Sequence, residues 1–357
     1  MYKDVEVTMK KLGFGIIGLG AIADFHARAI KDLDDCELVS CYHYREERAN
    51  EFAESHQCTA YTDLDEFLGD ERLDIVAIAS PSGAHLDGAL AAAKAKKHVI
   101  IEKPLEITKD RCTQIINACE EHGVKLAGIF QSRFFDSSRI LKEAIEKGRF
   151  GKIVMADAQV KWFRSQAYYD SGAWRGTWAL DGGGALMNQS IHAIDLLLWL
   201  VGDVSEVFAF ADTMSHERIE VEDTAVAALR FNNGAMGVIE GTTSAYPGFL
   251  KRLEILGTEG SAILEEESLI AWQFKEEEPG DEEIRQVYLD STETGGGAAD
   301  PLAIGHHGHT RNFASFVKSI REDSSVEVSG FEARRSVELI EAIYRSAKSG
   351  KKITLPL

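Results

Sequence analysis

Lys103, in Glu102-Lys103-Pro104, and His192, four residues after Asn188 and three before Asp195, are the side chains best suited to handling a proton near neutral pH. A lysine reaches that range by burial beside a cationic ring, and a histidine lies there by default. Such a pair suits a secondary alcohol whose hydroxyl must lose its proton as a hydride leaves the carbon. Our reading makes His192 the proton acceptor and puts Lys103 on the same oxygen, where it stabilises the developing alkoxide; the reverse assignment stays open. Asn188 and His192 share one face of a helix at this spacing. Asp195 is expected to orient or charge the ring as part of the substrate site. Nearby, Arg164, Trp174, Arg175 and Trp178 offer aromatic faces for a sugar ring and guanidinium groups for a carboxylate or phosphate.

A hydride needs an acceptor, and Gly18-Leu19-Gly20-Ala21-Ile22-Ala23 supplies a place for one. Gly18 permits a tight turn, Gly20 lets the backbone approach a pyrophosphate, Ala21 and Ile22 open a helix whose free N–H groups face it, and small Ala23 packs that helix on the sheet. The second strand ends on His43 where a preference for NAD would put an acid, and Arg45 and Arg48 follow, so NAD and NADP are both admitted. Ser80-Pro81 and His85 follow a later strand, and Glu102-Lys103 another, all on the edge where open α/β sheets bind ligands. His85 also suits a cap or a stacking contact. Pro104 holds Lys103 extended. The tract His306-His307-Gly308-His309 lacks a placed carboxylate, so no metal is expected; it reads as a loop returning to the substrate cleft, with His307 and His309 as candidate contacts.

The elements that must position these residues change character along the chain. Apolar runs at 12–17, 37–42, 73–79, 98–101 and 125–129 alternate with helical patterns ending near 33, 54, 95 and 122, the signature of a parallel sheet covered on both faces. Beyond Phe130 come a helix at 137–146, a long strand at 152–162, a helix at 184–200 and strand-like runs at 204–211, 224–230, 235–242, 251–257 and 268–273. An acidic corner at 276–283 and a glycine-rich loop at 294–299 precede two helices, 310–320 and 330–347. The expectation is an α/β protein with an N-terminal Rossmann dinucleotide-binding domain, residues 1–130, and a C-terminal α+β domain, 131–357, with a large, mostly antiparallel open sheet.

The 357 residues allow two cores, and the formal charge of −19 argues against nucleic acid and anionic membranes. No run approaches a spanning helix, and the first residues carry acids and lead into the glycine turn, with no cleavage site. Five cysteines, all in the first third and without CxxC, suit a reducing compartment; a cytoplasmic protein is expected.

Taken together, the glycine turn, Glu102-Lys103-Pro104 and the spaced set Gly182-Gly183-Gly184-x-Leu186-x-Asn188-x3-His192-x2-Asp195 resemble the glucose–fructose oxidoreductase / inositol dehydrogenase / rhizopine catabolism (Gfo/Idh/MocA) family over essentially the whole chain. The resemblance implies an NAD- or NADP-dependent sugar, polyol or nucleotide-sugar dehydrogenase, a homodimer or homotetramer assembled through the open sheet, Lys103 and His192 as the catalytic pair, and Ser80, Glu102 and Gln131 beside the nicotinamide. Asn188 stands where many members carry aspartate, and His43 where an acid is usual. Trp174-Arg175-Gly176-Thr177-Trp178 with Gly184 to Gln189 is similar to the branch that oxidises C3 of UDP-N-acetylglucosaminuronate, which would turn Arg164 or Arg175 toward an anionic group. Two alternatives share these motifs: a glycosidase or epimerase that retains its NAD, and a non-catalytic dinucleotide-binding protein.

Overall fold

The apolar runs of the first third are too short for helices and carry charge only near their ends, so they are stable only when buried on both faces. In the computed structural model, which describes residues 10–288 and 305–357, they form a six-stranded, wholly parallel sheet. Its strands are β1 (Leu12–Ile17), β2 (Cys36–Tyr42), β3 (Thr59–Tyr61), β4 (Ile75–Ile78), β5 (His98–Ile101) and β6 (Leu126–Gly128), in the order β3-β2-β1-β4-β5-β6. The order reverses between β1 and β4, which leaves a crevice beyond their C-terminal ends. The crossovers are α1 (Ala21–Lys31), α2 (Glu46–His56), α3 (Leu64–Leu68), α4 (His85–Lys94) and α5 (Lys109–His122). The short β3 and α3 carry too little periodicity to be seen in the sequence.

The second sheet has eight strands: β7 (Ile153–Lys161), β8 (Val204–Asp212), β9 (Thr224–Phe231), β10 (Met236–Thr242), β11 (Arg252–Gly257), β12 (Gly260–Glu265), β13 (Ser268–Phe274) and β14 (Ile353–Thr354). They lie in the order β13-β12-β11-β7-β10-β9-β8-β14, antiparallel except for the β7–β10 pair. One face is buried, and the other exposes Met155, Phe208, Phe210, Val226 and Met236. Helix α6 (Asp136–Glu146) follows β6, and the short α7 (Gln166–Asp170) follows β7. Beneath the buried face runs α8 (Ile191–Val201), preceded by a π-helical turn, Ala185–Ser190, where a continuous α-helix was expected. The wider turn has a local cause. The buried Glu222 carboxylate accepts the Gly184 N–H at 3.0 Å and the Leu186 N–H at 2.8 Å, tying down the start of the segment from outside it.

The acidic corner lies partly in a helix, α9 (Asp281–Tyr288), because Asp281 is buried between Arg149 and the Trp272 indole. The last two helices are α10 (His307–Arg321) and α11 (Gly330–Ser349). Helix α10 returns to the first sheet, where Phe313, Phe316 and Val317 complete the core around Phe14 and Ile16. Among the described residues no helix is long and apolar enough to cross a membrane. Residues 1–9 and the expected loop at 294–299 lie outside the described residues.

Candidate active site

A cleft of about 630 Å³ opens at the C-terminal edge of the parallel sheet, walled on its far side by the second sheet and the segment before α8. Five of the six strand ends contribute, all but that of the edge strand β3. Gly18, Gly20, Ala21 and Ile22 follow β1; His43, Arg45 and Arg48 follow β2; Ser80 and Pro81 follow β4; Glu102 and Lys103 follow β5; Gln131 follows β6. From the other wall come Arg164, Tyr168, Trp174, Arg175, Asn188, Gln189 and His192, and α10 adds His309.

The β1 end fits a dinucleotide pyrophosphate. Gly20 caps α1 with no side-chain bond, so the first-turn N–H groups face the cleft unscreened. A Cβ built on Gly20 meets nothing within 4 Å, so the space above the helix terminus is open. At the β2 end the His43 ring stacks on Tyr44 with centroids 4.6 Å apart and accepts the Arg45 N–H at 3.0 Å. Among the described lining residues the sole carboxylate is Glu102, two strands further across the sheet than β1. Lys103, Arg45, Arg48, Arg164 and Arg175 line the same cleft, so this acidic protein carries a basic pocket.

Glu102 is buried, and burial alone would raise its pKa. Hydrogen bonds from His26 Nε2 (2.9 Å) and His309 Nε2 (3.3 Å) outweigh that and hold the carboxyl well below its ordinary value. Its other oxygen accepts the Lys103 backbone N–H at 3.0 Å. The three groups lie within 4.8 Å of one another, a spacing a metal ion could bridge. Both Nδ1 atoms are buried without a partner, whereas a metal-bound imidazole normally donates its other N–H. The donor set therefore fits two imidazoles donating to one carboxylate better than it fits an ion.

Lys103 Nζ donates to the Asn188 backbone carbonyl at 2.8 Å, where the π-turn meets α8. Burial lowers its pKa, the carboxylates of Glu102 and Asp181 oppose the shift, and Arg175 and Arg164 add to it. His192 is held well below its ordinary value by burial and by the Lys103 and Lys251 ammonium groups, so its ring is neutral at physiological pH. Its Nδ1 is buried without a hydrogen-bond partner, which leaves Nε2 as the nitrogen able to serve the cleft. Arg175 donates to the Tyr168 hydroxyl at 2.7 Å and lies over the Tyr168 and Trp174 rings at 4.3 and 4.5 Å. Arg164 donates to Gln189 Oε1 at 2.9 Å.

Four expected site residues do not line the cleft. Asp195 is buried under α8 in a two-pronged pair with Arg133, at 2.6 and 2.7 Å. An arginine from the turn after β6 reaches it first, so it does not orient His192. His85 lies behind the wall, bridging the Pro104 carbonyl (3.0 Å) and the Ser80 carbonyl (2.9 Å), and so ties the β4 loop to the β5 loop. Trp178 sits on an outer turn, its indole ring packed at a right angle to the Tyr344 ring and its backbone N–H donating to Glu220. His307 points to Glu267 at 3.5 Å and packs on Phe135. The histidine tract is thus divided among three carboxylates, His306 on Asp32, His307 on Glu267 and His309 on Glu102.

Sequence reasoning missed Asp181, His26, Tyr168 and Gln189. Asp181 stands immediately before Gly182-Gly183-Gly184, a readable signal beside a turn that shapes the site. His26 sits within an ordinary amphipathic helix and gives no signal of its own.

A doubly wound sheet with an open phosphate-binding helix terminus, facing a neutral imidazole and a lysine across one basic cleft, defines an NAD(P)-dependent oxidoreductase. Residues 12–130 match the oxidoreductase family with an NAD-binding Rossmann fold, and residues 138–263 match the GFO/IDH/MocA C-terminal domain. The chain is 36% identical to the WlbA dehydrogenase of Bordetella pertussis, solved in complex with NADH and UDP-GlcNAcA, with a TM-score of 0.87 and coverage of 98% of this chain and 100% of that one. The corresponding WlbA of Chromobacterium violaceum, also solved with NADH and UDP-GlcNAcA, is 32% identical with a TM-score of 0.87, covering 98% of each chain. Myo-inositol 2-dehydrogenase of Thermotoga maritima is 29% identical over 346 residues, 96% of this chain and 98% of that enzyme. The protein belongs to the Gfo/Idh/MocA family of oxidoreductases.

Proposed function

We propose that this enzyme oxidises a ring secondary alcohol, at C3, of a nucleotide sugar that carries a carboxylate, the UDP-N-acetylglucosaminuronate class, with NAD as hydride acceptor. The observation that carries the reading is the charge of the cleft: Lys103, Arg164 and Arg175 gather on its substrate side beside a neutral His192, in a protein of formal charge −19. A neutral sugar gains little from three buried or half-buried cations, whereas a carboxylate and a diphosphate pair with them. The likeness to the two WlbA dehydrogenases solved with UDP-GlcNAcA supports the same class.

When bound, the dinucleotide supplies the carbon that takes up the hydride. His192 Nε2 accepts the hydroxyl proton, and burial keeps that lone pair free. Lys103 Nζ, held by the Asn188 carbonyl, donates to the same oxygen as negative charge develops there. Trp174 and Tyr168 both lie under the Arg175 guanidinium and hold it in place at the cleft wall. Arg45 and Arg48, the latter paired with Glu51 outside the cleft lining, leave room for the 2′-phosphate of NADP, so both dinucleotides are admitted.

Domains at 1–130 and 131–357 would bind dinucleotide and substrate respectively. The exposed row of Phe208, Phe210, Val226, Met236 and Met155 would be covered by a second copy in a homodimer or homotetramer. Five free thiols, four of them buried, suit the cytoplasm.

The test is calorimetric titration with NADH and NADPH, followed by a reduction assay over UDP-N-acetylglucosaminuronate, UDP-N-acetylglucosamine, free sugars and inositols. Turnover of the acid sugar nucleotide, with weak or no turnover of its uncharged counterpart, is expected. Turnover confined to free sugars or inositols would overturn the substrate class, and tight dinucleotide binding without turnover of any alcohol would favour a glycosidase or epimerase that retains its NAD, or a binding protein.

A further inference from the structure

Asp181 is 1% exposed and does not line the cleft, yet it stands one hydrogen bond behind it. One carboxylate oxygen accepts the Gly176 N–H at 2.8 Å; the other accepts the Asn188 side-chain N–H at 2.5 Å. Only the amide's NH₂ end can face a carboxylate, so this bond fixes which way Asn188 is turned. The Asn188 Oδ1 is left to accept from Gln189 at 3.0 Å, and Gln189 also donates to the Tyr168 hydroxyl at 3.0 Å and accepts from Arg164. The backbone carbonyl of the same Asn188 holds Lys103 Nζ. One buried carboxylate therefore anchors the residue on which the reacting lysine and the sugar-side network both lean.

Charge gives Asp181 a second task. Lys103 is desolvated and faces Arg164, Arg175 and the His192 ring, all of which disfavour a further cation or gain nothing from it; the groups that favour its ammonium form are Glu102 and Asp181. Glu102 is already engaged by two imidazoles. Asp181 itself faces Lys103 and Arg175, with the phenols of Tyr168, Tyr169 and Tyr344 around it, and burial pushes its own pKa up to about 6, so it is ionised at neutral pH.

We propose that Asp181 is a positioning residue for the reaction: it locks Asn188 so that its carbonyl holds Lys103 Nζ in the cleft, and it supplies the counter-charge that keeps that lysine an ammonium. It rests on the reading that Lys103 holds the reacting oxygen. The carboxylate need not stand at position 188 to do this; a residue seven positions upstream, folded back by the Gly182–Gly184 turn, reaches the same lysine through the amide.

The experiment compares wild type, Asp181→Asn and Asp181→Glu as folded holoenzymes with NADH bound, in two readouts. Competitive acetylation with trace acetic anhydride across pH, read at Lys103 by mass spectrometry, reports the neutral amine without any substrate. The pH profile of kcat/KM reports its consequence. Asp181→Asn is expected to raise the neutral fraction of Lys103 about threefold to tenfold at a given pH. It should move the alkaline limb of kcat/KM down by the same interval and lower kcat more than it raises KM, and Asp181→Glu should restore both in part. An unmoved Lys103 titration in folded Asp181→Asn overturns the inference, and so does a loss of activity with the pH profile unchanged. If the titration moves but no alcohol is oxidised by the wild type, the assigned function fails while the role of Asp181 stands.

Discussion

Replacing Gly18 and Gly20 by alanine, one at a time, separates what the glycine turn does for the fold from what it does for the dinucleotide. Gly18 has φ +89°, and a Cβ there would stand 2.3 Å from the Ser80 nitrogen, 2.6 Å from Ser80 Cα and 2.7 Å from the Ala79 carbonyl carbon. All three are backbone atoms at the end of β4, so they cannot swing aside. The left-handed conformation alone costs about 1–2 kcal/mol with a side chain, and the contacts add to it. Gly20 differs on both counts: its φ of −87° is ordinary, and its Cβ would meet nothing within 4 Å. Alanine at Gly20 should therefore leave stability within about 1 kcal/mol, aided by a less flexible unfolded chain. The same methyl would occupy the open space above the α1 terminus to which we assign the pyrophosphate. We expect Gly20→Ala to weaken NADH at least about tenfold, or roughly 1.4 kcal/mol, with an unchanged melting transition. Gly18→Ala should melt clearly earlier. Calorimetric titration with NADH and thermal unfolding of the apo protein measure the two effects. A Gly20→Ala protein that binds NADH like the wild type would refute the assignment of the pyrophosphate to this helix terminus.

Two further outcomes follow from buried charges. Asp195→Asn leaves Arg133 facing only the partly exposed Glu332, and uncoupling a buried pair costs about 3–5 kcal/mol, so its urea midpoint should fall while KM for the sugar stays put. A raised KM at unchanged stability would return Asp195 to the substrate site. Burial pushes Glu222 up to about 7 from an ordinary 4.5, so the folded chain keeps a proton that the unfolded chain releases. The stability this confers is full below about pH 4.5 and is lost as pH rises through 7, a swing of about 3 kcal/mol. Glu222→Gln stays neutral, so from pH 5 to pH 8 the melting temperature of wild type should fall relative to that of the variant; a difference that does not change with pH would mean that Glu222 keeps one charge state throughout.

Much of the site was legible because its signals are local. Strand ends carry the residues of an α/β crevice, so Gly18, His43, Ser80, Glu102 and Lys103 could be assigned to one edge from the alternation of runs alone, and the structure brings them to one cleft. The Asn188 and His192 pair survived the change from an α-helix to a π-turn because both residues remain on the cleft side of the segment. Asp195 did not: its direction depends on Arg133, 62 residues away, and on a face of α8 that the heavily apolar sequence of that helix does not mark. His307 and His309 are two residues apart, and only the docking of α10 decides that one reaches Glu102 and the other Glu267.

The sequence by itself determined the parallel α/β order, the glycine turn that opens α1, and the placing of Lys103, His192 and His43 on one cleft, since each depends on residue type and short-range spacing. Tertiary structure decided which charges meet. Glu102 lies 76 residues from His26 and 207 from His309, and Lys103 lies 85 from Asn188. No periodicity links such positions; they come together because two cores pack across one cleft and α10 crosses back to the first. Burial at that junction lowers the pKa of His192 and Lys103 and raises that of Asp181, while at Glu102 two imidazoles brought from distant segments overcome it; both effects are properties of the fold, not of any residue's neighbours in the chain.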